Sequence, residues 1–239
     1  MNTRERFLAI MDFEPVDRSL KWEIGYWAGA VRRWYKEGLP KFKGVPEDIG
    51  DGNSVHAQAS TVDPETINPI DHPRRDADLA NFFEMDEPWW RLPVNTYVCP
   101  KFDPEILEDR GDAIIHRNEF GVIVHDQKDK SGFPHWIKTP VETRDDWERL
   151  KAERLQPSLE MRLPANWARV KDAFKNRTYP VIAGGYPCGF YGTARFLLGE
   201  VKVMTIFYDE PELMRDIMDY LTDFWVAIYD QVLDEVQAD

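Results

Sequence analysis

The stretch YPVIAGG, residues 179–185, most constrains the fold because it is a short apolar run that ends in a glycine pair before helix-forming residues. A buried strand has this pattern, and a strand followed by a turn and a helix is the repeating unit of α/β folds. The sequence therefore predicts the α/β class, with further strands near residues 20–27 and 93–98.

Residues typical of helix N-termini predict the starts of three helices. Thr3 is a candidate N-cap for a helix over residues 3–11. Thr143 and Asp146 have the spacing of a capping box, so a helix begins there. Pro211 opens a long helix whose apolar residues form one stripe, and that stripe must be covered by other parts of the structure.

Two segments interrupt the regular pattern. Residues 39–92 are rich in Pro, Gly and Asp, and a connection of that length predicts an irregular loop or lid. Residues 113–140 alternate apolar and polar side chains with turns at RNEFG and DKSG, which predicts a β-meander. We expect residues 1–239 to form a single domain.

Composition excludes several classes of partner. The chain carries 43 acidic and 30 basic residues, and its net charge of −13 would repel nucleic acid. No apolar run approaches the roughly 18 residues of a membrane span and no signal peptide is visible, so we expect a cytoplasmic protein without a membrane partner. Cys99 and Cys188 lack metal-site spacing, which favours reduced, buried thiols and no metal.

Aromatic residues make up 13% of the chain and fall in short clusters such as WEIGYW, EPWWRLP, GFPHW and GGYPCGFYG. Large aromatic side chains suit either a core or a pocket for a flat ligand. Both interpretations stay open for each cluster taken alone.

Several blocks resemble the uroporphyrinogen decarboxylase superfamily: RERFLAIMDFEPVDR followed by WEIGYW, EFGVIVHDQKD with FPHWIKTPVETRDDWERL, and GFYGTARFLLGE with FYDEPELMRDIMDYLTDFW. The resemblance spans nearly the whole chain and is nearest to members from anaerobic bacteria. It implies a (β/α)8 TIM-barrel fold with the β-meander as an excursion. Such a barrel needs about 250 residues, so we expect only its N-terminal part here. A homo-oligomer or a missing C-terminal half would then complete it.

The chain departs from the family patterns at two places. The arginine-rich RQAGRY element, which binds the carboxylates of the tetrapyrrole in true decarboxylases, is replaced by EIGYWAG, which offers no cation. The His-x-Cys element of the zinc-dependent methyltransferases is absent from the sequence, so no zinc is assigned. The resemblance implies a corrinoid (cobalamin) as a co-substrate.

Candidate site residues stand where barrel strands should end, since sites of this fold form there. Glu23 is a candidate acid or base, with Tyr26 and Trp27 stacking a ring; the alternative is a solvated carboxylate beside a core aromatic pair. Asn95 and Tyr97 follow on the next strand as substrate-binding candidates, or as a strand-edge amide and a core tyrosine.

The GGYPCGFYGTAR segment is a glycine-rich loop leading into a helix, where backbone N–H groups can meet a ligand. Its substrate-binding candidates are Gly185, Tyr186, Phe190 and Tyr191. Arg195 is a catalytic candidate, and His135 is a second, as a general acid or hydrogen-bond donor. A histidine in a hairpin also fits a purely structural role.

Three functions remain open. The first is an enzyme of corrinoid-linked methyl transfer to a small-molecule substrate, with a corrinoid protein as a partner. The second is a decarboxylase of a tetrapyrrole-like or aromatic acid. The third is a non-catalytic protein that binds a corrinoid or tetrapyrrole.

Overall fold

The computed structural model describes residues 1–47, 49–57, 74–129, 132–187 and 189–239. The chain divides into two compact units, each built from separate segments of sequence. The first unit comprises Met1–Pro93, Pro164–Ala183 and Leu233–Asp239, and the second comprises Val94–Leu163 and Gly184–Val232. The prediction of a single domain over residues 1–239 stays a prediction.

Helices carry most of the regular structure. They are α1 (Thr3–Met11), α2 (Ala28–Glu37), α3 (Ala77–Phe83), α4 (Arg144–Arg154), α5 (Trp167–Lys175), α6 (Gly189–Leu198), α7 (Glu200–Asp209) and α8 (Pro211–Leu233). The capping box predicted at Thr143 is present, because Thr143 Oγ1 accepts from the amide of Asp146 and the Asp146 carboxylate accepts from the amide of Thr143. The N-cap predicted at Thr3 is wrong by one residue, because the side chain of Asn2 caps α1.

The strands are short. They are β1 (Tyr26–Trp27), β2 (Ser54–Val55), β3 (Trp90–Arg91), β4 (Glu105–Asp109), β5 (Ala113–Arg117), β6 (Ile123–Gln127), β7 (His135–Lys138) and β8 (Val181–Ile182). In the second unit, β4, β5, β6 and β7 form an antiparallel sheet in that order. In the first unit, β1 pairs antiparallel with β2, and β3 pairs parallel with β8.

The prediction of a (β/α)8 TIM barrel, with its N-terminal part present, is wrong for the fold class. Among the described residues, the only parallel pair is β3 with β8, and the sheets have two to four strands rather than eight. The apolar segment near residues 93–98 does not continue as a strand. The side-chain oxygen of Asn95 accepts from the amide of Tyr97, and its amide nitrogen donates to the carbonyl of Val98. Such local bonds compete with a strand ladder and turn the chain.

The predicted lid over residues 39–92 lies partly outside the described residues. Within the described part, α3 and the short strand β2 interrupt the irregular stretch. Asp78 at the start of α3 is buried, and its carboxylate accepts from the amides of Lys43 and Gly44 and from the hydroxyl of Tyr35. These bonds tie the described part of the loop to α3.

The apolar stripe of α8 is covered. In the second unit the stripe of α8 is buried at Leu213, Ile217, Leu221 and Ile228, as its spacing predicts. Across the described ranges, no helix has both the length and the apolar character that crossing a membrane requires.

Candidate functional site

Phe196 is the centre of an aromatic cluster in the second unit. Four other rings surround it, with centroid distances of 4.8 Å to Trp136, 5.3 Å to Tyr186, 5.5 Å to Phe120 and 6.5 Å to Tyr97. All four contacts are edge-to-face, with interplanar angles between 74° and 88°. Edge-to-face pairs are the favoured geometry because the positive ring edge meets the negative face. We call these five residues the Phe196 cluster.

The local fold holds the segment that carries Phe120. Phe120 lies in the turn between β5 and β6, where the side chain of Asn118 accepts from the amides of Phe120 and Val122. Gly121 completes this turn with a φ of 84°, a conformation that favours glycine. The turn therefore fixes the direction of the Phe120 ring through backbone geometry.

Tyr97 is the buried member of the Phe196 cluster. Its side chain is fully buried, and its hydroxyl has no hydrogen-bond partner among the described residues. Burial raises the pKa of Tyr97 above its ordinary value, because a phenolate would lose its hydration there. The hydroxyl is therefore held in its neutral form.

Arg162 holds the backbone that carries Tyr97. Its guanidinium donates to the carbonyls of Asn95 and Tyr97 at 3.0 and 2.6 Å, and to those of Gln156 and Arg154 at 2.9 and 3.1 Å. Burial lowers the pKa of Arg162 from its ordinary value. Four carbonyl contacts from one buried side chain give the Asn95–Tyr97 turn little freedom to move.

The Phe196 cluster borders a cavity of about 1150 Å³ in the second unit. Phe120, Trp136, Tyr186 and Phe196 form its aromatic wall, and residues of β7 and α7 form the remaining walls. Small-molecule sites usually occupy about 300–1,000 Å³, so this cavity admits a large ligand. The GFPHW stretch thus contributes directly to a cavity wall, through Phe133, Pro134, His135 and Trp136.

The charged groups of the cavity are mostly paired with each other. Arg195 is 3.0 Å from Glu200, Lys138 is 2.8 Å from Glu142, and Lys202 is 3.0 Å from Glu210. The hydrogen bond from Lys138 to Glu142 raises the pKa of the Lys138 ammonium. The lining therefore presents little net positive charge to a ligand.

Arg195 also belongs to the aromatic wall. Its guanidinium carbon lies 5.1 Å from the ring centroid of Trp136 and 5.6 Å from that of Phe196. Both distances are within the range of cation–π attraction. The side chain is thus held over two rings of the cluster while its guanidinium contacts Glu200.

Several predicted site residues meet in this part of the second unit. His135, Tyr186 and Arg195 line the cavity, and Tyr97 belongs to the Phe196 cluster. His135 is exposed and lies opposite His125 in the sheet. Their catalytic and binding roles stay predictions.

Other predicted residues of the same unit have structural contacts. The side chain of Asn95 makes the turn described above. A Cβ on Gly185 would lie 1.6 Å from Thr96 Oγ1, so this glycine packs against Thr96. The ring of Phe190 lies 4.9 Å from that of Trp225, and Tyr191 is exposed.

Glu23, Tyr26 and Trp27 lie in the first unit. Glu23 is exposed, and its carboxylate accepts from the amide of Ile24. Tyr26 packs edge-on against Trp34 at 6.0 Å, and burial raises the pKa of its hydroxyl. Half of the Trp27 side chain is exposed. This environment is that of a solvated carboxylate beside partly buried aromatics.

Sequence reasoning missed the centre of the site. Phe196 stands within the apolar run of α6 and Phe120 within a turn, and neither was singled out. The sequence carries one signal for Phe120, since a large aromatic residue between two polar turn residues and a glycine has no local packing reason to be there.

The described residues do not fit a zinc site. They contain no group of three or more His, Cys, Asp or Glu side chains placed to hold a metal ion. The thiol of Cys99 donates to the carbonyl of Met161 at 3.2 Å, and Cys188 lies outside the described residues. We therefore derive no chemistry through zinc.

Comparison with protein-family models, curated proteins and solved structures gives no match.

Proposed function

We propose that this chain binds a flat, conjugated ligand of tetrapyrrole or corrinoid size in the cavity of the second unit. The observation that carries the proposal is the Phe196 cluster, which forms one wall of a cavity of about 1150 Å³. Ring faces and edges recognise a conjugated ligand by area burial and quadrupole contacts. A small ligand would leave much of this volume empty, whereas a tetrapyrrole or a corrinoid would fill more of it.

The reaction we propose is corrinoid-linked methyl transfer. The pairing of Lys138, Arg195 and Lys202 with cavity carboxylates supports it, because the described cations of the lining are already balanced by protein carboxylates and offer no excess positive charge to a ligand with many carboxylates. A corrinoid with amide side chains needs no such charge. When bound, the corrinoid would supply the methyl-carrying centre, and the residues of this chain would bind and orient the ring.

Decarboxylation of a tetrapyrrole-like or aromatic acid is a second candidate, and one observation favours it. The partner of Arg195 is Glu200, whose side chain is 65% exposed. Exposed ion pairs contribute little free energy, so a single ligand carboxylate could replace Glu200 on Arg195. His135, which lines the same cavity, would then be the candidate proton donor.

A titration tests ligand binding. Cobalamin, a carboxylate-rich porphyrin and a carboxylate-poor porphyrin are each added while their absorbance and the tryptophan fluorescence are followed. We expect saturable cobalamin binding below about 100 μM, with at least tenfold weaker binding to Phe196→Ala, because about 1.4 kcal/mol corresponds to tenfold. Phe42→Ala, a change at an exposed ring of the first unit, is the control and should leave binding unchanged.

The outcomes separate the candidate functions. Loss of the methyl-cobalt absorbance of methylcobalamin on addition of a thiol supports methyl transfer. Tight binding of the carboxylate-rich porphyrin that is lost in Arg195→Ala supports the decarboxylase. Binding of any of these ligands without turnover supports the non-catalytic carrier. No spectral change with all three ligands contradicts the proposal.

A further inference from the structure

The strand β7 is an open edge of the antiparallel sheet. It pairs with β6 on one side, and within the described ranges no strand pairs with its other side. The backbone hydrogen bonds outside the sheets include none from His135, Trp136, Ile137 or Lys138. Outward-facing N–H and C=O groups on such an edge are a template for a further strand.

The cavity lies along this edge and not over one face of the sheet. Every residue from Phe133 to Thr139 lines it. Successive side chains of a strand point to opposite faces, so a space lined by consecutive residues must border the strand from the side. This lining places the cavity beside the free edge of β7.

The helix α7 is the opposite wall. Val201, Lys202, Thr205, Ile206 and Asp209 line the cavity, and their spacing places them on one face of the helix. α7 begins next to the end of β7, since a Cβ on Gly199 would lie 3.4 Å from Thr139 Cγ2. From this contact the strand and the helix enclose a groove between them.

Exposed apolar side chains flank the groove. Phe133 is 87% exposed, Val201 is 74% exposed and Ile137 is 51% exposed. All three side chains line the same cavity, so an occupant of the groove can contact them. Apolar side chains of an occupant that alternate along an extended backbone would bury them.

The charge of the groove indicates a basic occupant. Its three cations, Lys138, Arg195 and Lys202, each have a carboxylate partner. Asp209, at the last residue of α7, has no ion pair with the described residues. The chain as a whole carries a net charge of −13. A Lys or Arg on the occupant could therefore form an ion pair with Asp209.

We propose that β7 and α7 form a docking groove for an extended peptide segment of a partner protein, which adds as a further strand to the edge of β7. The segment carries apolar residues at alternate positions and a basic residue that pairs with Asp209. Backbone hydrogen bonds give such a complex its affinity, and the side-chain contacts give its specificity. This proposal does not rest on the flat ligand, although the peptide segment would occupy the same cavity and would compete with that ligand for it. Its probes are peptides alone.

Fluorescence anisotropy with a labelled peptide, Lys-Val-Thr-Val-Thr-Val-Lys, tests the groove. Two control peptides carry Glu in place of Lys, or N-methyl groups at alternate amides that remove one edge of donors. We expect saturable binding of the first peptide, and at least tenfold weaker binding of each control. Equal binding of the N-methylated peptide, or no saturation at about 1 mM of any peptide, overturns the proposal.

Variants of the protein locate the binding. Asp209→Asn should abolish the preference for the Lys peptide over the Glu peptide while leaving the effect of N-methylation intact. Val201→Lys should weaken the Lys peptide at least tenfold, whereas Val226→Lys on α8, a change at an exposed valine outside the groove, should not. Concentration-dependent dimerisation that Val201→Lys removes would assign the groove to a second copy of the chain and overturn the peptide proposal.

Discussion

The two units satisfy the hydrogen-bond donors of a buried arginine in different ways. In the first unit, Arg6 is 4% exposed and its guanidinium contacts the carboxylates of Asp17 at 2.8 Å and Asp86 at 3.0 Å. In the second unit, Arg162 is 1% exposed and its guanidinium donates to four backbone carbonyls. It also lies 4.7 Å from the ring centroid of Phe224.

The difference separates two uses of a buried cation. Carboxylates neutralise the charge of Arg6 and tie α1 to the segments that carry Asp17 and Asp86. Carbonyls leave the charge of Arg162 formally uncompensated but fix the backbone that carries Tyr97. The carboxylates around Arg6 take up protons at low pH, whereas the carbonyls around Arg162 do not. We infer that the Arg6 network serves stability, whereas Arg162 serves the geometry of the Phe196 cluster.

The largest effect should come from Asp86. Asp86→Ala removes the carboxylate that Arg6 and Arg18 share, and Arg6 then keeps only its pair with Asp17. Removing one partner of a buried pair costs up to about 3–5 kcal/mol. Urea unfolding measures the loss. Asp172→Ala, which breaks an exposed pair with Lys175 in the same unit, is the control and should change stability little.

The pH dependence of unfolding sharpens this prediction. Hydrogen bonds from Arg18 hold the pKa of Asp86 below its ordinary value of 3.8. Because the folded pKa is lowered, the stabilisation is present above pH 3.8 and is lost as the pH falls below it. Asp86→Ala should therefore unfold with a weaker acid dependence than the wild type, and an unchanged dependence would contradict the role given to this carboxylate.

A smaller effect is expected for Arg162→Met. The change leaves carbonyls without a donor, which costs about 1–3 kcal/mol, but it also removes a cation whose burial is unfavourable. Arg162→Lys should be more destabilising than Arg162→Met, because an ammonium keeps the charge yet cannot reach four carbonyls. Unfolding and near-UV circular dichroism measure both, and a loss in Arg162→Met as large as in Asp86→Ala would erase the contrast between the units.

The smallest effect is expected for Tyr35, whose hydroxyl donates to the buried carboxylate of Asp78. Two backbone amides, those of Lys43 and Gly44, also donate to this carboxylate. Burial, with the hydrogen bond to Asp78, raises the pKa of Tyr35 to about 12. This stabilisation is present below the ordinary pKa of 10 and is lost as the pH rises towards 12. Tyr35→Phe should cost about 1 kcal/mol at neutral pH and should flatten the alkaline fall in stability. If the stability of Tyr35→Phe fell with rising pH as steeply as that of the wild type, the role given to the Tyr35 hydroxyl would be refuted.

The sequence predicts what depends on neighbouring residues. The capping box at Thr143 and the stripe of α8 follow from spacings of three and four residues, and both are present. The predicted barrel was wrong because strand pairing joins distant segments, such as those of Trp90 and Val181. No local sequence pattern encodes which strands pair. The apolar segment at Asn95 was predicted as a strand, yet two side-chain hydrogen bonds turn it.

The site was predictable to a similar extent. Tyr186 and Arg195 were identified in the glycine-rich segment that follows a predicted strand, and His135 at the start of a strand of the β-meander. All three line one cavity. Phe196 escaped because an apolar residue in a helix ordinarily indicates core packing. Its role depends on four rings that reach it from separate segments, and only the tertiary structure brings these together.

Gly184 and Gly185 have a consequence for genetics. Gly184 has a φ of 146°, which only glycine adopts readily, whereas a side chain at Gly185 would collide with Thr96. In a saturation mutagenesis screen the two codons would score as one intolerant block, although the first fails by backbone torsion and the second by volume. A second-site suppressor at codon 96 that removes the threonine hydroxyl can therefore rescue alanine at codon 185, while codon 184 has no such suppressor.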